Sequence, residues 1–222
     1  MSWGLSLVLG MAVGAQADFE SAELLIRATY YEGIPFDRAR ALSAEECDHL
    51  TELLEADLPR HHENILIALG MAGHPGAYET LAAYGKGWTG ELTRAQYQAL
   101  MARMVGMGHL ARRDSRALAW LLDAAAGAGP APTVRFRVMA GERFERQRRA
   151  RAVAALSLSG SDEAEVFLQG LLEGNARRSQ SSTAPSSASL EAAIAQLRTL
   201  RKQGPDAALA SPFDRVSSEV GP

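Results

Sequence analysis

Three adjacent residues, His61, His62 and Glu63, combine side chains that often bind transition metals. Imidazole nitrogens and carboxylate oxygens are zinc ligands, and a zinc site gathers three or four of them around one point. The run opens a predicted helix, and a single group of this kind is not a site. We therefore predict a solvated helix start here, with no metal and no other cofactor.

The remaining histidines, His49, His74 and His109, are scattered along the chain. No nucleophile elbow, phosphate-binding loop or locally spaced Asp/His/Ser set occurs in the sequence. We therefore predict that the protein is not an enzyme. A hydrolase or lyase with a site assembled from distant residues remains an alternative, because such a site leaves no local pattern.

Charge is distributed unevenly along the chain, although the net charge is only −3. From Arg135 to Arg151 there are seven arginines, offset by Glu142 and Glu145 alone, whereas acids outnumber bases twelve to four in residues 18–63. An electropositive patch of this kind is suited to an acidic protein, an anionic lipid or a polyanion. Nucleic acid is not expected, because aromatic residues do not alternate with the basic ones.

The arginine-rich stretch also has a simpler interpretation as a solvated helix face, held by the pairs Glu142–Arg146 and Glu145–Arg149. For the binding interpretation, aromatic residues would supply most of the energy, because large aromatic side chains concentrate binding energy at interfaces. The candidate binding residues are four aromatic anchors predicted to be exposed and four electrostatic contributors: Tyr78, Tyr84, Trp88, Trp120, Arg135, Arg137, Arg146 and Arg149.

The elements that carry these residues are predicted to be helices. Aromatic residues are few and β-branched residues are sparse, which favours helix over strand. Ser43–Glu46 and Thr93–Gln96 have the spacing of capping boxes, and Asp114 or Ser115 is predicted to cap a further helix. Val134–Met139 is the one strand-like run in the sequence.

Two stretches of the sequence repeat the same pattern. Ala68–Gly73 and Ala155–Gly160 both read Ala-Leu-x-x-x-Gly, and each is followed by Ala four residues after the glycine and by Leu four residues later. The glycine permits a left-handed residue that closes a helix. A capped second helix then follows, so the unit is a helical hairpin that must stack on copies of itself to bury its apolar face.

On these residues the chain resembles the HEAT-like repeat family, especially its short bacterial form. Met104–Gly108 and Leu200–Gly204 are weaker copies, and Arg112 stands where the Met104–Gly108 copy should have alanine. The resemblance implies an all-α fold, an α-α superhelix of about four irregular hairpins. It also implies a protein-protein interaction scaffold or adaptor, with a structural component of the cell envelope as a further alternative.

The same resemblance bears on the metal question. Deoxyhypusine hydroxylase is an iron enzyme on a HEAT-like scaffold, and its site needs His-Glu dyads on several repeats. The positions equivalent to His62-Glu63 are Tyr97-Gln98, Arg149-Ala150 and Ala193-Ile194, none of which can bind a metal. The comparison with that enzyme therefore fails on the residues themselves.

The N-terminus is predicted to be an export signal. Residues 1–17 carry no charge, hold a short apolar core and end in Ala15-Gln16-Ala17, so cleavage is expected after Ala17 and the protein is expected in the periplasm or secreted. The apolar run is too short to span a membrane. The predicted organisation is a signal peptide (1–17), an N-terminal helical cap (18–58), a repeat array (59–210) with inserts at 128–141 and 174–189, and a disordered tail (211–222).

Overall fold

The computed structural model describes residues 13–30, 33–55, 61–128, 133–177 and 184–209, and within them the fold is all-α, as predicted. Two strands of two residues each complete the secondary structure of these ranges. The elements are α1 (Val13–Arg27), α2 (Phe36–Arg40), α3 (Ala44–Glu55), α4 (His62–Ala72), α5 (Ala77–Ala83), β1 (Gly90–Glu91), α6 (Arg94–Leu110), α7 (Ser115–Ala126), β2 (Val134–Arg135), α8 (Glu142–Leu156), α9 (Asp162–Arg177), α10 (Ser187–Gln203) and α11 (Pro205–Leu209).

The helices after the N-terminal segment form stacked hairpins. Helices α4, α6, α8 and α10 pack side by side in chain order, and each is followed by a second helix, α5, α7, α9 or α11. The second helices α5 and α7 pack against both neighbouring first helices. Helices α1, α2 and α3 pack on α4, and α2 also contacts α11. The described hairpins therefore share one continuous apolar core.

Glycines allow the first helices to touch through their backbones. A Cβ atom built on Gly106 would lie 2.3 Å from the Leu66 carbonyl oxygen, and one built on Gly70 would lie 2.1 Å from the Gly106 oxygen. Gly108 meets α8 in the same way, 2.4 Å from the Ala155 oxygen. Helix α6 is thus clamped between α4 and α8 at distances that no larger side chain permits.

The predicted helix starts are confirmed in detail. The Ser43 hydroxyl accepts from the Glu46 amide at 3.2 Å, and the Glu46 carboxylate accepts from the Ser43 amide at 2.8 Å. Thr93 and Gln96 make the same reciprocal pair at the start of α6. Of the two candidate caps for α7, Asp114 is the one used. Each cap satisfies amides that the first turn of a helix leaves without an intrahelical partner.

The strand-like run forms a very small sheet. Gly90 pairs with Val134 and Glu91 pairs with Arg135, so that β1 and β2 run parallel. Val134 is extended, as the sequence predicted, but its partner strand β1 was not predicted. A strand of two residues that begins with glycine shows no alternation of apolar and polar residues. The sheet ties the loop after α5 to the segment that leads into α8.

Several predicted boundaries move in the structure. Helix α9 continues to Arg177 and α10 begins at Ser187, so the Ser-rich insert predicted at 174–189 is helical at both ends. Helix α1 begins at Val13 and runs through the predicted cleavage point after Ala17, whereas residues 1–12 of the predicted signal lie outside the described residues. The predicted tail, 211–222, also lies outside them. None of the helices in the described ranges combines the length and apolar character needed to cross a membrane.

The single cysteine lies inside the core. Cys47 is 2 % exposed and unpaired, and burial, followed by the charges of Glu46 and Asp48, raises the pKa of its thiol to about 11. A thiol with a raised pKa forms little thiolate at neutral pH, so Cys47 is suited to packing and not to nucleophilic chemistry.

Candidate functional site

Four arginines at the start of α8 and in the segment before it form an exposed basic surface. We call Arg135, Arg137, Arg143 and Arg146 the basic surface; all four are exposed to solvent. Arg135 forms an ion pair with Glu91 at 3.3 Å, and the Arg137 guanidinium lies 5.2 Å from the centre of the Phe136 ring. No ion pair joins the other three arginines to an acid in the described part of the chain. The positive charge is therefore available to a partner.

Two residues of the basic surface, Arg135 and Arg137, lie just before and within a tight turn with an apolar tip. Phe136 and Met139 exchange two backbone hydrogen bonds of 2.9 Å, which leaves Arg137 and Val138 as the two residues of the turn. Val138 is 81 % exposed. Arg137 has a φ of 54°, in the left-handed region that favours glycine. The chain thus holds a charged residue where glycine would be less strained, a pattern found at functional sites.

The strain at Arg137 leads to a prediction about stability. Arg137→Gly should raise the free energy of unfolding by about 0.5–1 kcal/mol, because glycine adopts a positive φ without cost. Val138→Gly is the matched control: its φ is not positive, so it should give no gain and a small loss. Urea unfolding of both variants measures the difference. Equal stability of the two variants would show that the turn is not strained at Arg137.

Aromatic packing fixes the position of the turn on α6. The Phe136 ring stacks on Tyr97 with centroids 4.2 Å apart and planes 7° from parallel. Phe144, at the start of α8, is 2 % exposed and meets Tyr97 edge-on at 6.1 Å. These residues belong to a small core of their own, which also includes Trp88. The basic surface is therefore carried on a rigid base.

Neither of the two ion pairs expected along α8, Glu142–Arg146 and Glu145–Arg149, occurs among the described residues. Glu145 pairs with Arg148 through two contacts of 2.8 Å, and not with Arg149 as predicted. Arg149 instead donates to the Ala125 carbonyl at 3.0 Å, because it faces the end of α7. Among the predicted electrostatic contributors, Arg149 is therefore half-buried, whereas Arg135, Arg137 and Arg146 are exposed. Arg143 completes the surface and was missed by the sequence analysis.

The four predicted aromatic anchors are half-buried and not exposed, which corrects the sequence-based expectation of their exposure. Tyr78 packs under the Arg116 guanidinium at 4.5 Å, and Tyr84 meets Trp88 edge-on at 5.2 Å. Trp120 lies 4.8 Å from the guanidinium of another arginine, which is described below. Large aromatic rings at the edges of helices cover apolar surface between hairpins, so part of each ring is buried. Their role in binding remains a prediction.

A half-buried arginine with a buried Nε contacts two of these aromatic residues. Arg103, on α6, lies over the Trp120 ring, and its Nη1 donates to the Tyr84 carbonyl at the end of α5. Its Nε is buried and has no hydrogen-bond partner among the described residues. Burial, and to a smaller extent the nearby charge of Arg148, lowers the pKa of Arg103 to about 10. Arg103 therefore remains charged at neutral pH.

His61 and His62, which have possible metal-binding side chains, have different environments in the structure. His62 is buried, and its Nδ1 lies 2.9 Å from the Tyr84 hydroxyl, whereas His61 precedes the helix with a φ of 72°. Burial raises the pKa of the Tyr84 hydroxyl to about 12. No three His, Cys, Asp or Glu side chains stand close enough to hold a metal ion within the described ranges. The predicted solvated helix start is wrong for His62, which packs inward because its ring meets Tyr84.

A cleft of about 330 Å³ lies at the opposite ends of the first helices, along the turns that follow α6, α8 and α10. Arg113 in this cleft donates to the Ala72 carbonyl at 3.0 Å. Arg201 contacts Asp162 at 2.8 Å and Glu165 at 2.7 Å. Arg201 is therefore paired with two carboxylates, whereas Arg113 is hydrogen-bonded to a neutral carbonyl.

Comparison with known protein families, with curated proteins and with solved structures finds no match to the chain. The functional argument therefore depends on the residues and contacts described above.

Proposed function

We propose that this protein is an exported helical-repeat scaffold of HEAT-like type, which binds an acidic protein partner and does not catalyse a reaction. The observation that carries the proposal is the basic surface: four exposed arginines, three of them without an ion pair to a described acid, with the exposed Val138 next to Arg137 in the turn. Charge of one sign on a rigid base steers an oppositely charged partner and fixes its orientation.

The repeat pattern supports a binding role. Stacked helical hairpins expose long faces that bind other macromolecules. The Ala-Leu-x-x-x-Gly pattern of Ala68–Gly73 and Ala155–Gly160 falls where α4 meets its turn to α5 and α8 meets its turn to α9. Export is supported by the small-x-small ending of residues 15–17. Both features are in keeping with an adaptor in the periplasm or outside the cell.

The proposal is tested by capture of partners from envelope extract. The bait is the chain from Asp18, and the second bait carries Arg137→Glu, Arg143→Glu and Arg146→Glu. We expect the wild-type bait to capture a partner and the variant to bind it at least about tenfold more weakly, because attraction becomes repulsion at three positions. Binding should also weaken as salt is raised, because exposed charges are screened.

A charge-matched control separates the surface from net charge. Arg38→Glu, Lys86→Glu and Lys202→Glu change the net charge equally at exposed positions on other elements. This control should bind the partner like wild type. If it loses the partner as fully as the basic-surface variant does, net charge and not this surface governs the interaction, and the assignment is wrong.

A further inference from the structure

The structure assigns a second binding site, at Arg103: we propose that its guanidinium takes the carboxylate of an organic acid with an aromatic or apolar body. Nothing in this proposal depends on the basic surface. The fold buries the Nε of Arg103 and gives it no hydrogen-bond partner among the described residues. Arg103 has no ion pair in the described part of the chain, and the nearest charged residue that affects it is Arg148, a second cation.

The local charges do not balance. Arg148 is already paired with a carboxylate, because it donates two hydrogen bonds of 2.8 Å to Glu145. Among the described residues, the charged groups that these contacts connect to Arg103 are the Arg148 guanidinium and the Glu145 carboxylate that pairs with it. Removing a cation from water without a counterion is costly, and proteins normally pair buried charges. A ligand that brings one negative charge would complete the set.

The free part of the guanidinium has the geometry for a carboxylate. Nη1 is used by the Tyr84 carbonyl, whereas the buried Nε has no partner among the described residues. Nε and Nη2 form an edge with two parallel N–H bonds, which matches the two oxygens of a carboxylate. The Trp120 face holds the group from one side, 4.8 Å from its ring centre, so the edge is fixed in direction.

The surroundings indicate the rest of the ligand. Tyr84, Trp88 and Trp120 are all half-buried, as is Arg103, so their outer edges border on solvent. Aromatic side chains with one exposed edge bind flat apolar groups well. The same carboxylate chemistry is offered by a small aromatic acid and by an acidic side chain of a peptide. The experiment distinguishes these two sources.

The test is isothermal titration calorimetry of the whole chain, with tryptophan fluorescence as a second readout from Trp88 and Trp120. The probes are phenylacetate, its neutral analogue phenylacetamide, and a peptide with blocked, uncharged termini that contains Phe followed by Asp. We expect saturable binding of phenylacetate and none of phenylacetamide. If the peptide alone binds, the carboxylate comes from a macromolecule; if no carboxylate probe binds up to its solubility limit, the proposal is wrong.

Substitutions at Arg103 complete the test. Arg103→Lys should weaken phenylacetate binding by about tenfold or more, because an ammonium cannot offer two parallel donors, and Arg103→Met should abolish it. Arg94→Met, at an exposed position on the same helix, is the control and should bind like wild type. The basic-surface variant should also bind phenylacetate like wild type. The result for Arg103 therefore does not depend on whether the proposed function is correct.

A stability readout separates a ligand site from a purely structural arginine. If Arg103 is kept for a ligand, Arg103→Met should leave the melting temperature of the ligand-free protein unchanged or raised, because a buried charge is replaced by an apolar chain of similar size. Phenylacetate should then raise the melting temperature of wild type alone. A lower melting temperature for both Arg103→Met and Arg103→Lys, with undiminished phenylacetate binding, would overturn the assignment.

Discussion

Replacing Gly106 by alanine should lower the free energy of unfolding by about 3 kcal/mol or more. The new Cβ would lie 2.3 Å from the Leu66 carbonyl oxygen and 2.7 Å from a methyl group of Leu81, so α4 and α6 must separate. Overpacking of this kind costs about 1–3 kcal/mol in a side-chain core, and backbone atoms yield less than side chains. For a chain of this size we expect a fall of roughly 6–12 °C in melting temperature.

The control for this prediction is Gly170→Ala. Gly170 lies in α9, and a Cβ there meets nothing within 4 Å. Alanine has the higher helix propensity, so this substitution should stabilise the protein by about 0.5–1 kcal/mol. If Gly106→Ala lowers the free energy of unfolding and Gly170→Ala raises it, the loss comes from the contact between α4 and α6. Little or no loss on Gly106→Ala would mean that the two helices do not approach so closely.

Acidification should destabilise the protein through His109. The ring is buried near the end of α6, 5.8 Å from Phe36, and its Nδ1 has no partner among the described residues. Burial, and secondarily the charge of Arg112, lowers the pKa of His109 from 6.5 to about 4. The unfolded chain therefore takes up this proton at a higher pH than the folded protein does.

The sign and size of this effect follow from linkage. Stability is unaffected by His109 above pH 6.5 and is lost progressively as pH falls from about 6.5 to about 4. One pKa unit corresponds to about 1.4 kcal/mol, so the total loss is about 3 kcal/mol. His109→Leu should remove this part of the pH dependence, whereas His74→Gln, at a half-buried turn position, should retain it. Urea unfolding at several pH values between 4 and 7 measures the slope for each variant, and parallel slopes for wild type and His109→Leu would contradict the account.

Local sequence patterns predicted the helices well because their causes are local. The reciprocal hydrogen bonds of Ser43 with Glu46, and of Thr93 with Gln96, require only the right side chains three residues apart. The glycine at the end of α4 adopts a φ of 66°, as the hairpin pattern requires. These features do not depend on which other helices are nearby, so sequence reasoning finds them.

Contacts between distant residues were not predictable in the same way. Gly70 and Gly106 lower the helix propensity of α4 and α6. Only the packed structure shows that each glycine makes room for the backbone of the other helix. The burial of Arg103 and His62 also depends on Tyr84, which lies some twenty residues from each of them. An arginine or histidine on a helix normally predicts a solvated face, and the tertiary contacts override that expectation here.

For the candidate binding site, the sequence predicted charge but not shape. The excess of arginines in residues 135–151 predicted a basic region, and Arg135, Arg137, Arg143 and Arg146 are exposed in the structure. The position of the turn that exposes Val138 follows from the β1–β2 pairing and from the stack of Phe136 on Tyr97. Two-residue strands and a single aromatic stack leave no periodic pattern in a sequence, which is why these features were found only in the structure.

The central claim, that the basic surface binds a protein partner, is tested most directly by site-specific photo-crosslinking in the native envelope. The photoreactive residue replaces Val138, which is 81 % exposed in the turn next to Arg137, or Val166 on α9, which is 69 % exposed and serves as the control. We predict a discrete crosslinked product from position 138 that is absent from position 166. The product should disappear when Arg137, Arg143 and Arg146 are changed to glutamate. Identical products from both positions, or a product at 138 that survives the charge reversal, would contradict the account.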